Sequence, residues 1–234
     1  MGNSKILLGL TTTPGSDWRK KINEIDELGL EEIALFPTCL DAQERKELYE
    51  LLEKTKLKRI PHVHLRSDMT CDELEYLIDK YGAKVFNTHP EKFFPFTHDL
   101  SKYYNRIFVE NTGPIPSEEE VRKLAGICID FSHLESFLKT RIDPEYDKFL
   151  GYMKRYNIGC CHISAIYKKA YIDYGDPRFP KRIAYDNHNL QSMEELDYMV
   201  EYKSYLPEYC SLELINSFSQ QMKAKTYLEK LLNL

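Results

Sequence analysis

The chain has 234 residues, of which 42% are hydrophobic and 29% are charged, a composition that fits one domain with a sizeable core. Its formal net charge of -5 argues against broad non-specific nucleic-acid binding but leaves room for a local basic groove. No apolar run approaches the length of a membrane span, and the first residues resemble neither a signal peptide nor a myristoylation site. We therefore expect a cytoplasmic protein without a membrane partner.

Short β-rich runs alternate along the chain with longer segments of helical periodicity. Most of the short runs are apolar on both faces, as buried parallel strands are. In chain order the predicted strands are Lys5–Thr12, Glu32–Pro37, Arg59–Arg66, Lys84–His89, Arg106–Asn111, Gly126–Asp130, Ile158–Ser164 and Tyr209–Ile215.

The predicted helices between these strands begin at residues that can cap them. A side-chain oxygen before the first turn can accept a hydrogen bond from an otherwise unpaired backbone N–H group. The candidates are Asp41, Thr70 or Asp72, and the capping-box pairs Ser117 with Glu120 and Ser192 with Glu195, and a last helix is predicted from about Ser217 to Leu234.

Eight strand–helix repeats predict a parallel sheet that closes into a single (β/α)8 TIM barrel, with residues 1–234 as one domain. An open doubly wound sheet is the alternative, but no glycine-rich phosphate loop follows the first strand. The longest irregular stretch, Tyr171–Asn189, is rich in Gly, Pro, Arg and Tyr. A loop of this length in a compact barrel is usually functional or mobile.

Titratable residues are concentrated where the predicted strands end, which is where barrels of this kind carry their chemistry. Six of the seven histidines lie at strand ends or in the long stretch. Glu110, Asp130 and Glu213 each interrupt an apolar strand, where an unpaired carboxylate is costly to desolvate. With Asp186 they would repel one another unless a divalent cation lay between them. Mixed imidazole and carboxylate ligands suit Zn, Mn or Fe.

The joint placement of these residues carries the prediction of a metal site, because one histidine or glutamate alone is more often a satisfied core residue. Of the two histidines in the third strand, His64 is favoured as a metal ligand and His62, one step deeper, as its support.

Six segments resemble motifs of the xylose isomerase-like barrels and, within them, of the endonuclease IV type of AP endonuclease (family 2). One motif stands at each of these strand ends, in the order that the family has. The segments are Thr88–Pro90, Val109–Thr112, Ile129–His133, Cys161–Ser164, Asp186–His188 and Leu212–Glu213.

The resemblance implies a centre of up to three metal ions, whereas the sugar isomerase and epimerase branch uses only a site like the second of them. The implied ligands are His64, His89 and Glu110 for the first ion, Glu110, Asp130, His162 and Glu213 for the second, and His133, Asp186 and His188 for the third. The chain departs from the nucleases in its shorter length, in its longer spacing from His162 to Asp186, and in lacking a match to their DNA-penetrating loops.

We therefore expect a metal-dependent phosphoester hydrolase with two or three divalent ions per chain, Zn or alternatively Mn. Glu110 and Glu213 are the predicted catalytic residues. The predicted substrate-binding residues are His62, Arg66, Lys168, Arg178 and Arg182. The expected substrate is a small phosphorylated molecule or sugar, with damaged DNA as a further candidate.

Two other functions stay open. One is a sugar or sugar-phosphate isomerase or epimerase, in which one metal polarises the substrate while Glu110 and Glu213 shuttle a proton. The other is a non-catalytic barrel with a degenerate site, because a fold alone does not define a function. The sequence leaves the oligomeric state open.

Overall fold

In the part of the chain that the structure describes, residues 4–13, 16–113, 115–140, 145–174 and 181–234, eight parallel strands form a barrel. The structure is a computed structural model. The first strand has two parts, β1 (Lys5–Leu7) and β2 (Gly9–Thr11), on either side of Leu8. The others are β3 (Ala34–Phe36), β4 (His62–His64), β5 (Val85–Thr88), β6 (Ile107–Glu110), β7 (Ile127–Asp130), β8 (Ile158–Ile163) and, after a hairpin, β11 (Tyr209–Leu212).

The sheet closes because the first strand pairs on both of its sides. β1 pairs with β11, placing Ile6 opposite Cys210, and β2 pairs with β3, placing Leu10 opposite Leu35. The strand order β1-β11-β8-β7-β6-β5-β4-β3-β2 therefore returns to the segment from which it started. This topology confirms the predicted barrel and excludes the open doubly wound sheet.

Helices cover the outside of the barrel and connect its strands. Two of the predicted caps, Asp41 and Thr70, each form a full capping box, and the last helix starts as predicted after Ser217, which caps it. The helices are α1 (Trp18–Glu27), α2 (Ala42–Leu52), α3 (Cys71–Tyr81), α4 (Glu118–Lys123), α5 (Phe131–Thr140), α6 (Glu145–Met153) and α7 (Phe218–Leu232), with 3₁₀ segments at Ser101–Arg106 and Met193–Tyr205. Among the described residues, none of these helices is both long and apolar enough to cross a bilayer.

The prediction of a capping box at Ser192 and Glu195 is wrong. In the described chain no side-chain hydrogen bond from Ser192 caps the 3₁₀ segment that follows it. The Glu195 carboxylate instead accepts a hydrogen bond from the backbone N–H of Gln191. Ser117 does accept a hydrogen bond from the N–H of Glu120, but the Glu120 carboxylate turns to the N–H of Glu91.

The stretch predicted to be irregular, Tyr171–Asn189, contains strand segments at 171–173 and 182–187 on either side of residues 175–180, which lie outside the described chain, so that prediction needs correction. Its strands are β9 (Ala165–Asp173) and β10 (Arg182–Asn187), which pair antiparallel over the end of the barrel. The register shifts after Ala184, and residues 167–170 form a bulge opposite a single residue of β10. The shift interrupts the alternation that would have identified two strands from the sequence.

Apolar side chains fill the amino-terminal end of the barrel. Phe108, Cys128 and Cys160 pack there against one another, and all three are buried. Gly159 admits the Phe108 ring, because a Cβ at position 159 would lie 2.1 Å from it. With this end filled, the polar interior residues are left to the carboxyl end.

Candidate metal centre

The nine residues predicted as metal ligands all lie in the described chain, at the carboxyl ends of the strands or on the hairpin. This common placement follows from parallel strands, whose carboxyl ends form one rim. His64, Glu110 and Asp130 end β4, β6 and β7; His162 lies near the end of β8; His89 and Glu213 follow β5 and β11; His133 lies in the first turn of α5; Asp186 lies in β10 and His188 follows it.

His64, His89 and Glu110 form a first compact group, with one potential ligand atom of each within 4.8 Å of the others. His64 Nδ1 lies 2.8 Å from the Leu65 carbonyl oxygen, which can only accept, so Nδ1 carries a proton and donates to it. The other nitrogen, Nε2, is directed into the site. It lies 3.2 Å from Glu110 Oε2 and has no hydrogen-bond partner among the described residues. A ring nitrogen and a carboxylate oxygen at this separation are placed to bind one cation between them.

His89 completes the first group as a neutral imidazole. Burial and the neighbouring His64 lower the pKa of His89 to about 4, so the ring is unprotonated near neutral pH. The two rings meet edge to face with their centres 4.6 Å apart. Because a metal binds only the unprotonated nitrogen, His89 is ready to act as a ligand.

A second group surrounds the buried His162 ring. Its Nδ1 lies 3.5 Å from Glu110 Oε2, 3.8 Å from Asp130 Oδ2 and 3.1 Å from Glu213 Oε2. Neither ring nitrogen makes a hydrogen bond with any described residue. Burial opposes protonation of His162, but Glu110 and Glu213 outweigh it and raise the pKa of His162 to about 10. Negative charge thus converges on one nitrogen.

Both groups fit a divalent cation. Ligand atoms about 2.1 Å from a common ion lie roughly 3.0 to 3.4 Å apart in octahedral or tetrahedral coordination. The separations of 3.2 Å for His64 to Glu110, 3.5 Å for His162 to Glu110 and 3.1 Å for His162 to Glu213 are close to this range. The 3.8 Å to Asp130 Oδ2 is longer, yet that oxygen too is buried without a hydrogen-bond partner in the described chain.

Asp130 is held in place by the helix that follows it. Its Oδ1 accepts hydrogen bonds from Ser132 Oγ at 2.6 Å and from the backbone N–H of His133 at 2.8 Å, which caps the start of α5. The amide side chain of Asn111 bonds both the N–H and the C=O of Asp130. One carboxylate oxygen is therefore committed to the scaffold while the other faces the site.

A chain of hydrogen bonds across the barrel interior holds Glu110. The Asn87 amide nitrogen donates to Glu110 Oε2 at 2.7 Å, so its oxygen faces His62 and accepts from Nε2 at 3.0 Å. His62 Nδ1 then accepts from Ser211 Oγ at 2.7 Å. Both nitrogens of His62 are engaged and the ring is buried, which places it beneath the site as a support. Asn87 and Ser211 were not predicted as site residues, although each is a polar residue in an apolar strand.

A further compact group, His62, Cys128 and His162, lies in the barrel interior. The nitrogens of His62 cannot turn to a metal there without breaking the chain to Asn87 and Ser211. We therefore assign this group to the support of the rim and not to a separate metal site.

The three residues implied as ligands of a third ion do not form a compact group within the described chain. His133 Nδ1 lies 2.9 Å from Asp186 Oδ2, as a hydrogen bond. Both oxygens of Asp186 also accept from Arg182, at 2.6 and 3.2 Å. His188 Nδ1 donates to the Glu213 carbonyl oxygen at 2.9 Å. A cation from the chain itself already neutralises this carboxylate.

The residues predicted to bind substrate have different surroundings. Arg66 bonds the Asp68 carboxylate and the Thr38 carbonyl oxygen. Lys168 is exposed in the bulge of β9. Arg182 pairs with Asp186, as described above, and Arg178 lies outside the described residues.

The fold and the rim together define a closed β/α barrel with two histidine–carboxylate groups that share Glu110. No protein-family model matches the chain, and no curated protein does.

Two solved structures are similar over nearly the whole chain. One is a xylose isomerase-like TIM barrel protein from Mycobacterium smegmatis in complex with magnesium, at 13% identity and a TM-score of 0.37, covering 97% of this chain and 96% of that one. The other is the apo form of 3-keto-D-glucoside 4-epimerase, YcjR, from E. coli, at 11% identity and a TM-score of 0.44, covering 98% and 100%.

Proposed function

We propose that the protein is a divalent-metal-dependent phosphoester hydrolase whose two ions share Glu110. One observation carries the proposal: Glu110 Oε2 lies 3.2 Å from His64 Nε2 and 3.5 Å from His162 Nδ1, and each nitrogen belongs to its own ligand group. A carboxylate between two histidine groups is the arrangement that bridges a pair of ions. An enzyme with one metal has no use for His64 and His89 at this place.

The chain supplies a separate ligand set for each ion. His64, His89 and Glu110 hold the first, and Glu110, Asp130 and His162, with Glu213 beside them, hold the second. When bound, such a pair of ions supplies a hydroxide nucleophile at neutral pH and neutralises charge on a transferring phosphoryl group.

The protein's own side chains orient the reactants. Asn87 holds Glu110 by a bond of 2.7 Å, so the shared carboxylate does not rotate out of the site. Burial opposes ionisation of Glu213, but His188 and His162 lower the pKa of Glu213 to about 2. Glu213 therefore stays a carboxylate at neutral pH and accepts a hydrogen bond from a water or hydroxyl group of the substrate.

A sugar isomerase or epimerase is the second candidate, and the surroundings of His162 favour it. Carboxylates of Glu110, Asp130 and Glu213 lie within 3.8 Å of its Nδ1, which is a sufficient ligand set for one metal. This function leaves the convergence of His64 and His89 unexplained, and for that reason we place it second.

The test is a substrate panel with the whole chain, purified without a His tag and loaded with Zn²⁺ or Mn²⁺. We expect hydrolysis of bis(p-nitrophenyl) phosphate and weak or no binding of undamaged duplex DNA at physiological salt, because the net charge of -5 repels a polyanion. An abasic duplex is the comparison substrate. Glu110→Gln should abolish hydrolysis, and Glu50→Gln, on the exposed face of α2, should not. If the metal-loaded protein hydrolyses no phosphoester but interconverts a ketose and its epimer, the second candidate is correct.

A further inference from the structure

The hairpin brings a cation of the chain itself to the rim. Arg182 Nη2 and Nη1 donate to the two oxygens of Asp186 at 2.6 and 3.2 Å, and its Nε donates to Asp173 at 3.0 Å. The register explains the second contact, because Arg182 and Asp173 are direct partners across the two strands. The guanidinium also lies 5.6 Å from the centre of the Phe137 ring. It is thus fixed on three sides.

Asp186 is equally fixed. It is buried, and its backbone oxygen accepts a hydrogen bond from the Tyr171 hydroxyl at 2.6 Å. One residue earlier, the backbone N–H of Tyr185 donates to Ser136 Oγ at 2.9 Å, which ties β10 to α5. These bonds fix the backbone that carries the Asp186 carboxylate.

The contacts of Asp186 account for both of its oxygens. Oδ1 accepts from Arg182, and Oδ2 accepts from Arg182 and from His133 Nδ1. By contrast, His64 Nε2 and His162 Nδ1 of the two ligand groups have no hydrogen-bond partner in the described chain. Within the described chain, ring nitrogens beside Glu110 thus lack hydrogen-bond partners, whereas both carboxylate oxygens of Asp186 have them.

We propose that Arg182 takes the place of a third metal ion, so that the protein holds its third cation covalently and binds two ions from solution. The number two rests on the proposed function, whereas the replacement of the third ion by Arg182 does not. A guanidinium suits this place because its planar fork matches a carboxylate in a two-pronged pair. Residues His133, Asp186 and His188, which resemble a third ligand set, here form a contact between hairpin and barrel.

The experiment counts bound ions in the whole chain. Wild-type protein, Arg182→Met and Lys181→Met are saturated with Cd²⁺, and bound ions are counted by elemental analysis and by the number of ¹¹³Cd NMR resonances. Lys181→Met is the matched control, since it removes one positive charge from the adjacent position, where the ammonium lies over the Tyr174 ring. Arg182→Gln is measured beside Arg182→Met, so that a folding defect of one variant does not decide the result.

We expect two ions in wild-type protein and in Lys181→Met, and one additional ion in Arg182→Met and Arg182→Gln. The additional ion should disappear in the double variant with Asp186→Asn. Three ions in wild-type protein, or an unchanged count in both folded Arg182 variants, would overturn the proposal. The two proposals fail separately: the wild-type count tests the shared centre at Glu110, and the difference between variant and wild type tests Arg182.

Discussion

Glu110 and Asp186 are both buried carboxylates at the carboxyl rim of the barrel, and their surroundings differ in one respect. Glu110 faces ring nitrogens of His64 and His162 that have no hydrogen-bond partner among the described residues. Asp186 faces the guanidinium of Arg182 and the N–H of His133. Buried polar atoms in folded proteins are almost always paired, so ring nitrogens that face a carboxylate without a hydrogen-bond partner indicate an external cation. A carboxylate that is already paired with a guanidinium, as Asp186 is, indicates that the chain supplies the cation itself.

This comparison separates residues that look alike in the sequence. Asp186 and His188 are residue types that bind metals, and they stand close together in the sequence, as a pair of ligands would. Only their contacts show that Arg182 already binds the Asp186 carboxylate and that His188 bonds the Glu213 backbone. If the two sides of the rim differ in this way, substitutions beside Glu110 should change metal binding more than substitutions beside Asp186.

The largest effect is expected for Glu110→Gln, which removes the charge shared by both ligand groups. Each ion should bind at least roughly 100-fold more weakly, since loss of an outer-shell residue alone typically costs 10- to 100-fold. Isothermal titration with Zn²⁺ measures both constants. His188→Ala should weaken binding of either ion less than Glu110→Gln does, because its Nδ1 bonds the backbone oxygen of Glu213 and not a ligand atom of either group. Equal losses in the two variants would erase the distinction between the two sides.

Asn87→Ala should give the second-largest effect. The substitution removes the hydrogen bond to Glu110 Oε2 and leaves His62 Nε2 without its acceptor. We expect metal affinity to fall about 10- to 100-fold. We also expect the free energy of unfolding to fall by about 1 to 3 kcal/mol, because a buried donor is left unpaired. Asn105→Ala, at an exposed position, is the control. Wild-type affinity in Asn87→Ala would show that Glu110 needs no support.

The barrel itself could be predicted because its signal is local. Apolar runs and capped helices alternate along the chain, and the structure has a strand within each predicted run. The strand ends could not be predicted, because they depend on pairing between distant segments. The run Arg59–Arg66 contains only the paired segment His62–His64: Pro61 has no N–H to donate, and Arg59 makes a single isolated bridge with Glu32.

Convergence of the rim residues was predictable from barrel geometry, whereas their individual partners were not. Arg182 was expected to bind substrate, and its actual pairing with Asp173 depends on the register of a hairpin that the bulge conceals in the sequence. Asn87 was missed because its role depends on residues 25 positions earlier and 23 positions later in the chain.

The two ligand groups should differ in how their metal affinity depends on pH. An ion that must displace one proton binds about tenfold more weakly for each unit by which the pH falls. The pKa of His162 is raised to about 10 by Glu110 and Glu213 against the effect of burial, so below that pH a proton must leave before an ion binds to this ring. The pKa of His89 is lowered to about 4, so above pH 5 its ring has no proton to release. Affinity of the second group should therefore fall as the pH falls from 9 to 6.

Calorimetry in two buffers of different ionisation heat measures the protons released per ion at pH 7.5. We expect His162 to contribute about one proton to binding of the second ion. His98→Ala, which removes an exposed histidine, should leave the count unchanged. If neither ion releases a proton from His162, the charge assigned to this ring is wrong.

The smallest effect is expected for Lys168→Ala, on the hairpin side of the rim. Lys168 is exposed in the bulge of β9, while Arg182 is held by two carboxylates. An exposed ammonium can follow a bound anion, but such a contact contributes only about 0.2 to 1 kcal/mol, which corresponds to at most about a fivefold change. We therefore expect KM for bis(p-nitrophenyl) phosphate to rise about two- to fivefold, with kcat and the metal count unchanged. Steady-state kinetics at low and high salt provide the check. Added salt should raise the KM of the wild-type protein and leave the KM of Lys168→Ala nearly unchanged. A fall in kcat or in bound metal would instead place Lys168 beside the ions, and the division between a metal-binding and a self-neutralised side of the rim would have to be redrawn.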